Sequence, residues 1–94
     1  MPKPRLSAAL RAWVYRRDNW HCRRCNRNSM LTPHHVTYQS QGGEHTANNL
    51  LTLCMVCHDL LHNGKIVIEV VKTVATDLIV KFWTRGDWDE TRNR

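Results

Sequence analysis

Long hydrophobic runs are missing from this chain of 94 residues. No stretch approaches the roughly 18 consecutive apolar residues that span a membrane. The amino-terminal residues also lack the charged head and the apolar run of about seven or more residues that mark a secretory signal. We therefore expect a cytoplasmic protein that has no membrane partner.

Lysine and arginine are absent from residues 31–64, although the whole chain has 14 of them against 8 acidic residues. Eight of the basic residues lie within residues 1–30, where Asp18 is the single acid. A basic region of this kind favours a polyanionic partner, because each phosphate it neutralises releases condensed counterions. A solvated, solubilising surface is the alternative. The candidate phosphate contacts are Arg16, Arg17, Arg23 and Arg24. Arg23 and Arg24 lie between Cys22 and Cys25, so their side chains should point into solvent.

The chain is also too short for a large core. A single domain of this size buries only about 60 to 65% of its unfolded surface, so its stability is marginal without a cross-link. Four cysteines in two C-x-x-C pairs, Cys22-x-x-Cys25 and Cys54-x-x-Cys57, could supply one. In a reducing cytosol such pairs are more often metal ligands than disulfides.

Apolar periodicity and turn residues predict the order of the secondary structure. Ser7 is a suitable N-cap, and Leu6, Leu10, Trp13 and Val14 would form the buried face of the first helix. The turn near residues 73–77 lacks glycine, so the hairpin register stays open. The expected segments are a basic arm (1–6), a helix (7–18), a core (20–64) with strands at 30–37 and 50–53 and a helix at 55–63, a hairpin (65–84) and a tail (85–94).

The cysteine pairs predict a closed metal site. Four thiolates that arrive as two pairs suit a tetrahedral zinc ion and leave no coordination position for a substrate. Iron could also occupy an all-sulfur site. Because the site is closed to a substrate, it should be structural, and ion binding would supply folding free energy on the order of 10 kcal/mol.

The histidines predict a second and more open metal site. His58 and His62 are four residues apart on the expected helix and would project from one face. A third ligand has to come from the strand that ends in His34 and His35. Adjacent residues of a strand point to opposite sides, so one of the two can bind the ion while the other stays free as a base. His21 and His45 are interpreted as surface or hydrogen-bonded residues.

These residues together resemble the HNH endonuclease family. The resemblance extends from Trp20 to about Gly64 and rests on His34-His35, Ser40-Gln41-Gly42-Gly43, Asn49-Leu50, Cys54-x-x-Cys57-His58 and His62. It implies a zinc-stapled ββα-metal (His-Me finger) core. Together with the N-terminal helix and the C-terminal β-hairpin expected from the residue pattern, this gives a single α+β domain over residues 1–94. The resemblance also implies that His35 is the general base, that Asn49 holds the loop and orients His35, and that His34, His58 and His62 bind the catalytic divalent ion.

The activity implied by the resemblance is hydrolysis of DNA phosphodiester bonds, with 5′-phosphate and 3′-hydroxyl products. Three imidazoles do not select among Mg²⁺, Mn²⁺, Ni²⁺ and Zn²⁺ as the catalytic ion, whereas the cysteines should hold structural Zn²⁺. Tyr38, Gln39 and Gln41 of the polar loop are further candidate DNA contacts. We expect weak sequence selectivity, because no appended recognition module is evident.

Other functions remain open at this point. The chain could be a zinc-dependent nucleic-acid-binding module without cleavage, or a nuclease that acts on RNA or on branched DNA. It could also be a subunit of a phage packaging or DNA-processing complex. Apolar residues on both faces of the hairpin would suit such a partner, or a homodimer.

Overall fold

The computed structural model describes residues 6–36 and 45–85. The elements in chain order are helix α1 (Ala8–Arg17), strand β1 (Leu31–His35), a 3-10 turn (Ala47–Asn49), strand β2 (Leu50–Cys54), helix α2 (Met55–His62), strand β3 (Ile66–Thr73) and strand β4 (Leu78–Thr84). The protein is thus a small α+β domain, as the sequence predicts. The candidate contacts Tyr38, Gln39 and Gln41 lie outside the described residues, as do residues 1–5 of the basic arm and 86–94 of the tail.

Helix α1 begins where the sequence predicts. The Ser7 hydroxyl oxygen accepts a hydrogen bond from the Leu10 N–H at 3.1 Å, which satisfies one of the free donors of the first turn. Val14 is fully buried, but Trp13 is 37% exposed, so the expectation that Trp13 lies in the buried face is wrong. The Arg17 guanidinium lies 6.0 Å from the centre of the Trp13 ring and covers part of it.

Strands β1 and β2 form an antiparallel pair that sets the positions of the site residues. His34 is paired with Leu51 and His35 with Leu50. At the other end, Leu31 is paired with Cys54, so the first residue of β1 lies beside the last residue of β2. Every residue of β2 is buried, which gives the pair a fixed place in the core. The two adjacent histidines therefore project from opposite faces of a strand that is held in one register.

Helix α2 follows β2 without a linker and ends where the sequence predicts. Gly64 has a φ of +72°, a left-handed conformation that glycine adopts without steric penalty. The N–H of Lys65 donates to the Leu60 carbonyl at 2.9 Å and that of Gly64 to the Leu61 carbonyl at 3.1 Å. These bonds satisfy the last carbonyls of the helix and stop it directly after His62.

Strands β3 and β4 form the expected hairpin, and the structure supplies the register that the turn sequence left open. Ile66 pairs with Thr84 and Thr73 with Leu78, with a bulge between Val70 and Lys72. The hairpin packs on the core through Ile66, Ile68, Leu78, Val80 and Phe82. Its outer surface keeps Val71 and Ile79 about half exposed, at 52% and 53%. None of the helices within the described residues is long and apolar enough to cross a membrane.

A buried ionic network joins α1 to the rest of the domain. The Asp18 carboxylate is 2% exposed and accepts hydrogen bonds from Arg17 at 2.9 Å and from Arg23 at 3.0 Å. It also accepts the backbone N–H of Thr52 in β2 at 3.0 Å. Arg23 additionally contacts Asp77 in the hairpin turn at 2.9 Å. The network thus links the first helix, the first cysteine pair, β2 and the hairpin.

Replacing Asp18 by alanine should destabilise the protein by about 1–3 kcal/mol, because it removes a buried acceptor from Arg17, Arg23 and the Thr52 N–H, while both guanidinium groups keep Asp77 nearby. Chemical denaturation of the zinc-loaded protein measures the change. Asp59→Ala, which removes an exposed carboxylate from α2, is the matched control and should have little effect. An Asp18→Ala protein as stable as the control would show that the network contributes nothing.

Candidate metal centres and active site

The four cysteines converge on one point although they come from three parts of the chain. Cys22 and Cys25 lie in the turn after α1, Cys54 ends β2 and Cys57 lies in the first turn of α2. Their sulfur atoms all lie within 4.8 Å of one another, and those of Cys25 and Cys54 are 3.5 Å apart. All four are free thiols, so they form no disulfide. A tetrahedral zinc ion needs sulfurs about 3.8 Å apart, so this cluster could hold zinc.

Burial and neighbouring hydrogen-bond donors shift the pKa values of two of the four cysteines. Burial would raise the pKa of the Cys22 thiol, but backbone N–H groups that include those of Cys25 and Arg24 lower that pKa to about 7. Burial raises the pKa of Cys57 to about 12, although the Arg24 guanidinium lies 3.6 Å from its sulfur and opposes this rise. Four thiolates cannot share this space without a cation, so loading the site with zinc should release protons.

Three histidines, two from α2 and one from β1, form a second cluster. His58 and His62 lie on one face of the helix, with their Nε2 atoms 3.2 Å apart. His34 projects toward them from β1, and its ring centre is 5.6 Å from that of His58 and 6.3 Å from that of His62. One nitrogen from each ring lies within 4.8 Å of the others. Nitrogens bound to one tetrahedral ion would be about 3.4 Å apart, so these imidazoles could share a metal.

The histidine cluster differs from the cysteine cluster in exposure and in ligand number. His34 is buried, whereas His58 is partly exposed and His62 is exposed. Burial, followed by the neighbouring rings of His58 and His62, lowers the pKa of His34 to about 4, and burial also lowers the pKa of His58. The rings of His34 and His58 are therefore neutral at neutral pH, which is the form that binds a metal ion. Three ligands on an open face leave coordination positions for other molecules.

His35 projects away from this cluster and contacts a different histidine. Its Nε2 lies 2.8 Å from Nδ1 of His45, and the two ring centres are 4.9 Å apart. Burial, followed by the charge of His45, lowers the pKa of His35. A neutral, half-buried imidazole beside a possible metal site is suited to accept a proton.

Sequence reasoning assigned His45 no part in the site, although it allowed a hydrogen bond. The contact with His35 joins residues on either side of a polar loop without hydrophobic period. Hydrophobic periodicity does not predict the path of such a loop. The sequence offered one sign of the contact, which was a second histidine ten residues after His35.

Asn49 lies at the end of the 3-10 turn, next to β2. Its carbonyl accepts the N–H of Val36 at 2.9 Å, and its own N–H donates to the Thr46 carbonyl at 3.0 Å. Through these two backbone hydrogen bonds, Asn49 connects Val36, which follows His35, to Thr46, which follows His45. The role of holding the loop, which the family resemblance implies for Asn49, stays a prediction.

The four candidate arginines fall into two groups. Arg17 donates to the carbonyls of Ala47 and Leu50 at 2.7 Å each, in addition to its ion pair with Asp18. The place of Arg23 between two cysteines predicted a side chain that points into solvent. That prediction is wrong, because Arg23 binds Asp18, Asp77 and the Leu78 carbonyl. The buried Asp18 carboxylate, together with the partly exposed Asp77, holds these two guanidinium groups against the domain. The side chains of Arg16 and Arg24 lie at the surface.

A β-strand pair followed directly by a helix, with a four-cysteine cluster at one end, defines a zinc-type ββα domain. Residues 22–64 match the model of the HNH endonuclease family, and the chain belongs to that family. It is 28% identical over 78 residues to the type IV methyl-directed restriction enzyme EcoKMcrA of Escherichia coli (strain K12), an alignment that covers 73% of this chain and 28% of the enzyme. It is 33% identical over 54 residues to anaredoxin of Nostoc sp., covering 56% of this chain and 71% of that protein. The chain thus spans under a third of the length of the restriction enzyme.

Proposed function

We propose that this protein is a metal-dependent endonuclease that hydrolyses phosphodiester bonds of DNA. The observation that carries the proposal is the arrangement of adjacent residues on β1. His34 contributes to a cluster of three imidazoles, whereas His35 points to the other side and remains outside it. A site that only binds metal has no need for this second histidine, but hydrolysis needs both a metal and a base.

The two clusters have separate functions in this proposal. The cysteine cluster holds zinc and stabilises the fold, because all of its coordination positions are filled by the protein. His34, His58 and His62 hold the catalytic divalent ion, which is Mg²⁺, Mn²⁺, Ni²⁺ or Zn²⁺. When bound, that ion supplies electrostatic stabilisation of the charge that develops on the phosphate in the transition state.

The residues of the chain supply the remaining chemistry. His35 accepts a proton from the water that attacks phosphorus, which its neutral ring can do near neutral pH. Asn49 holds the loop through its backbone bonds and so keeps the position of His35 constant. Burial of His34 keeps one ligand of the metal site rigid, while the exposed His62 leaves the site open to a long substrate.

DNA binding in this proposal relies on the exposed arginines. Arg16 and Arg24 lie at the surface, where they can approach phosphates, although Arg24 also donates to the Cys57 sulfur at 3.6 Å. Arg17 and Arg23 would first have to leave Asp18. The methyl-directed restriction enzyme among the relatives supports a DNA substrate. Phosphate contacts from two arginines give affinity without reading sequence, so selectivity should be weak.

Removing one imidazole from the histidine cluster tests this proposal. His58→Ala should reduce divalent-ion-dependent cleavage of supercoiled plasmid to the level of the metal-free protein, because only two ligands remain. It should keep its fold and the zinc held by the cysteines. His21→Ala, which removes a histidine outside both clusters, is the control and should cleave normally. Normal cleavage by His58→Ala would refute the proposed metal site.

A second candidate is a partner-dependent subunit, for example of a phage DNA-processing complex, or a non-cleaving binding module. The observation that favours a partner or a homodimer is the row of exposed apolar residues on the hairpin, which includes Val70, Val71 and Ile79. DNA binding by the wild-type protein without cleavage under any of the four ions would favour this candidate over the nuclease.

A further inference from the structure

We propose that His45 is a positioning residue that fixes the tautomer and the orientation of the His35 ring. This inference rests on the proposed function, since it assigns a purpose to a contact of the proposed general base. The contact is the hydrogen bond between Nε2 of His35 and Nδ1 of His45, at 2.8 Å. Among the hydrogen bonds of residues 6–36 and 45–85, this one alone involves the His35 ring.

The two rings can share this hydrogen bond in two ways. A neutral imidazole carries one proton, so one ring must donate and the other must accept. If His45 donates from Nδ1, then Nε2 of His35 is the acceptor and the proton of His35 sits on Nδ1. If His35 donates from Nε2, then its Nδ1 has a free lone pair. Only the second arrangement leaves His35 with a nitrogen that can take a proton from water.

The protonated form of His35 favours the same arrangement. After His35 accepts a proton it carries hydrogens on both nitrogens, and its Nε2 can only donate. A neutral His45 whose Nδ1 accepts this bond then stabilises a charged donor, and charge-assisted hydrogen bonds are roughly twice as strong as neutral ones. The contact is therefore stronger after proton transfer than before it, which lowers the barrier to the transfer.

Hydrogen-bonded backbone lies directly next to both histidines. His35 is paired with Leu50 in the sheet, and the next residue, Val36, is bonded to the Asn49 carbonyl. His45 is followed directly by Thr46, whose carbonyl accepts the Asn49 N–H and whose hydroxyl donates to the Asn48 side chain at 2.9 Å. Asn49 thus anchors the backbone next to both histidines, through Val36 on one side and Thr46 on the other.

The test compares two replacements of His45 that differ in hydrogen-bonding ability. His45→Asn places an amide oxygen near the position of Nδ1 and keeps an acceptor for His35, whereas His45→Leu removes it. We expect His45→Leu to lower kcat by roughly 10- to 100-fold, the usual effect of removing a group that orients a site residue, with little change in KM for DNA. His45→Asn should restore most of the rate. Equal loss in both variants, or no loss in His45→Leu, would overturn the proposal.

A measurement without cleavage separates this proposal from the proposed function. Nitrogen-15 NMR of the imidazole rings reports which nitrogen carries the proton. His35 should be the Nε2–H tautomer in the wild type and in His45→Asn, and a mixture in His45→Leu. An Nδ1–H tautomer in the wild type would refute the positioning role. The expected tautomers in a protein that cleaves no DNA would instead uphold the positioning of His35 and refute the nuclease function.

Discussion

Replacement of His35 by alanine is expected to abolish DNA cleavage while the protein keeps its fold and its zinc. A positioned general base contributes roughly 10²- to 10⁴-fold to a rate, and the loss should fall in that range. The side chain lies outside both metal clusters and is half-buried, so its removal changes neither the cysteine cluster nor the set formed by His34, His58 and His62.

The measurement is the rate of plasmid nicking with saturating divalent ion, beside the zinc content and the thermal unfolding of the same sample. His21→Ala again serves as a control for the loss of one histidine. Wild-type rates in a folded His35→Ala protein would reject His35 as the base, whatever the role of the metal.

Replacement of Cys54 by serine should have the largest effect on stability. Binding of structural zinc supplies on the order of 10 kcal/mol, which is comparable to the whole stability of an ordinary domain, about 5–15 kcal/mol. Cys54 is fully buried, ends β2 and also caps α2, since its sulfur accepts the N–H of Cys57 at 3.5 Å. We expect the serine variant to be largely unfolded near neutral pH.

Circular dichroism with and without added zinc measures this effect, and removal of zinc from the wild type by a chelator should reproduce it. His58→Ala is the informative comparison, because it also loses a metal ligand but should stay folded. A Cys54→Ser protein that is zinc-free and well folded would show that the cysteine cluster does not stabilise the domain.

Much of the scaffold could be predicted because it depends on local chemistry. Ser7 and Gly64 mark helix ends through hydrogen bonds and backbone angles that involve only a few neighbouring residues. The spacing of His58 and His62 places both on one face of any helix, and adjacent residues of any strand face apart. For this reason the division between His34 and His35 follows from the sequence once β1 is recognised as a strand.

The parts that sequence reasoning missed depend on contacts between distant segments. Arg23 was expected in solvent from its place between Cys22 and Cys25, yet Asp77, 54 residues away, lies beside it. The contact of His45 with His35 depends on the path of a polar loop, and such a path has no periodic signal. Local patterns identify which residues can bind metal, whereas pairing between distant charged or polar residues has to be observed.

The most direct test of the central claim is a titration of divalent ion into protein whose zinc occupies the cysteine cluster alone. Plasmid cleavage is followed together with the number of ions bound per chain. We expect no cleavage at the start, followed by a cleavage rate that rises as a second ion binds and levels off when one further ion per chain is bound. Cleavage by protein that holds zinc in the cysteine cluster alone would contradict the proposed metal site. Absence of cleavage after a second ion is bound would contradict it as well.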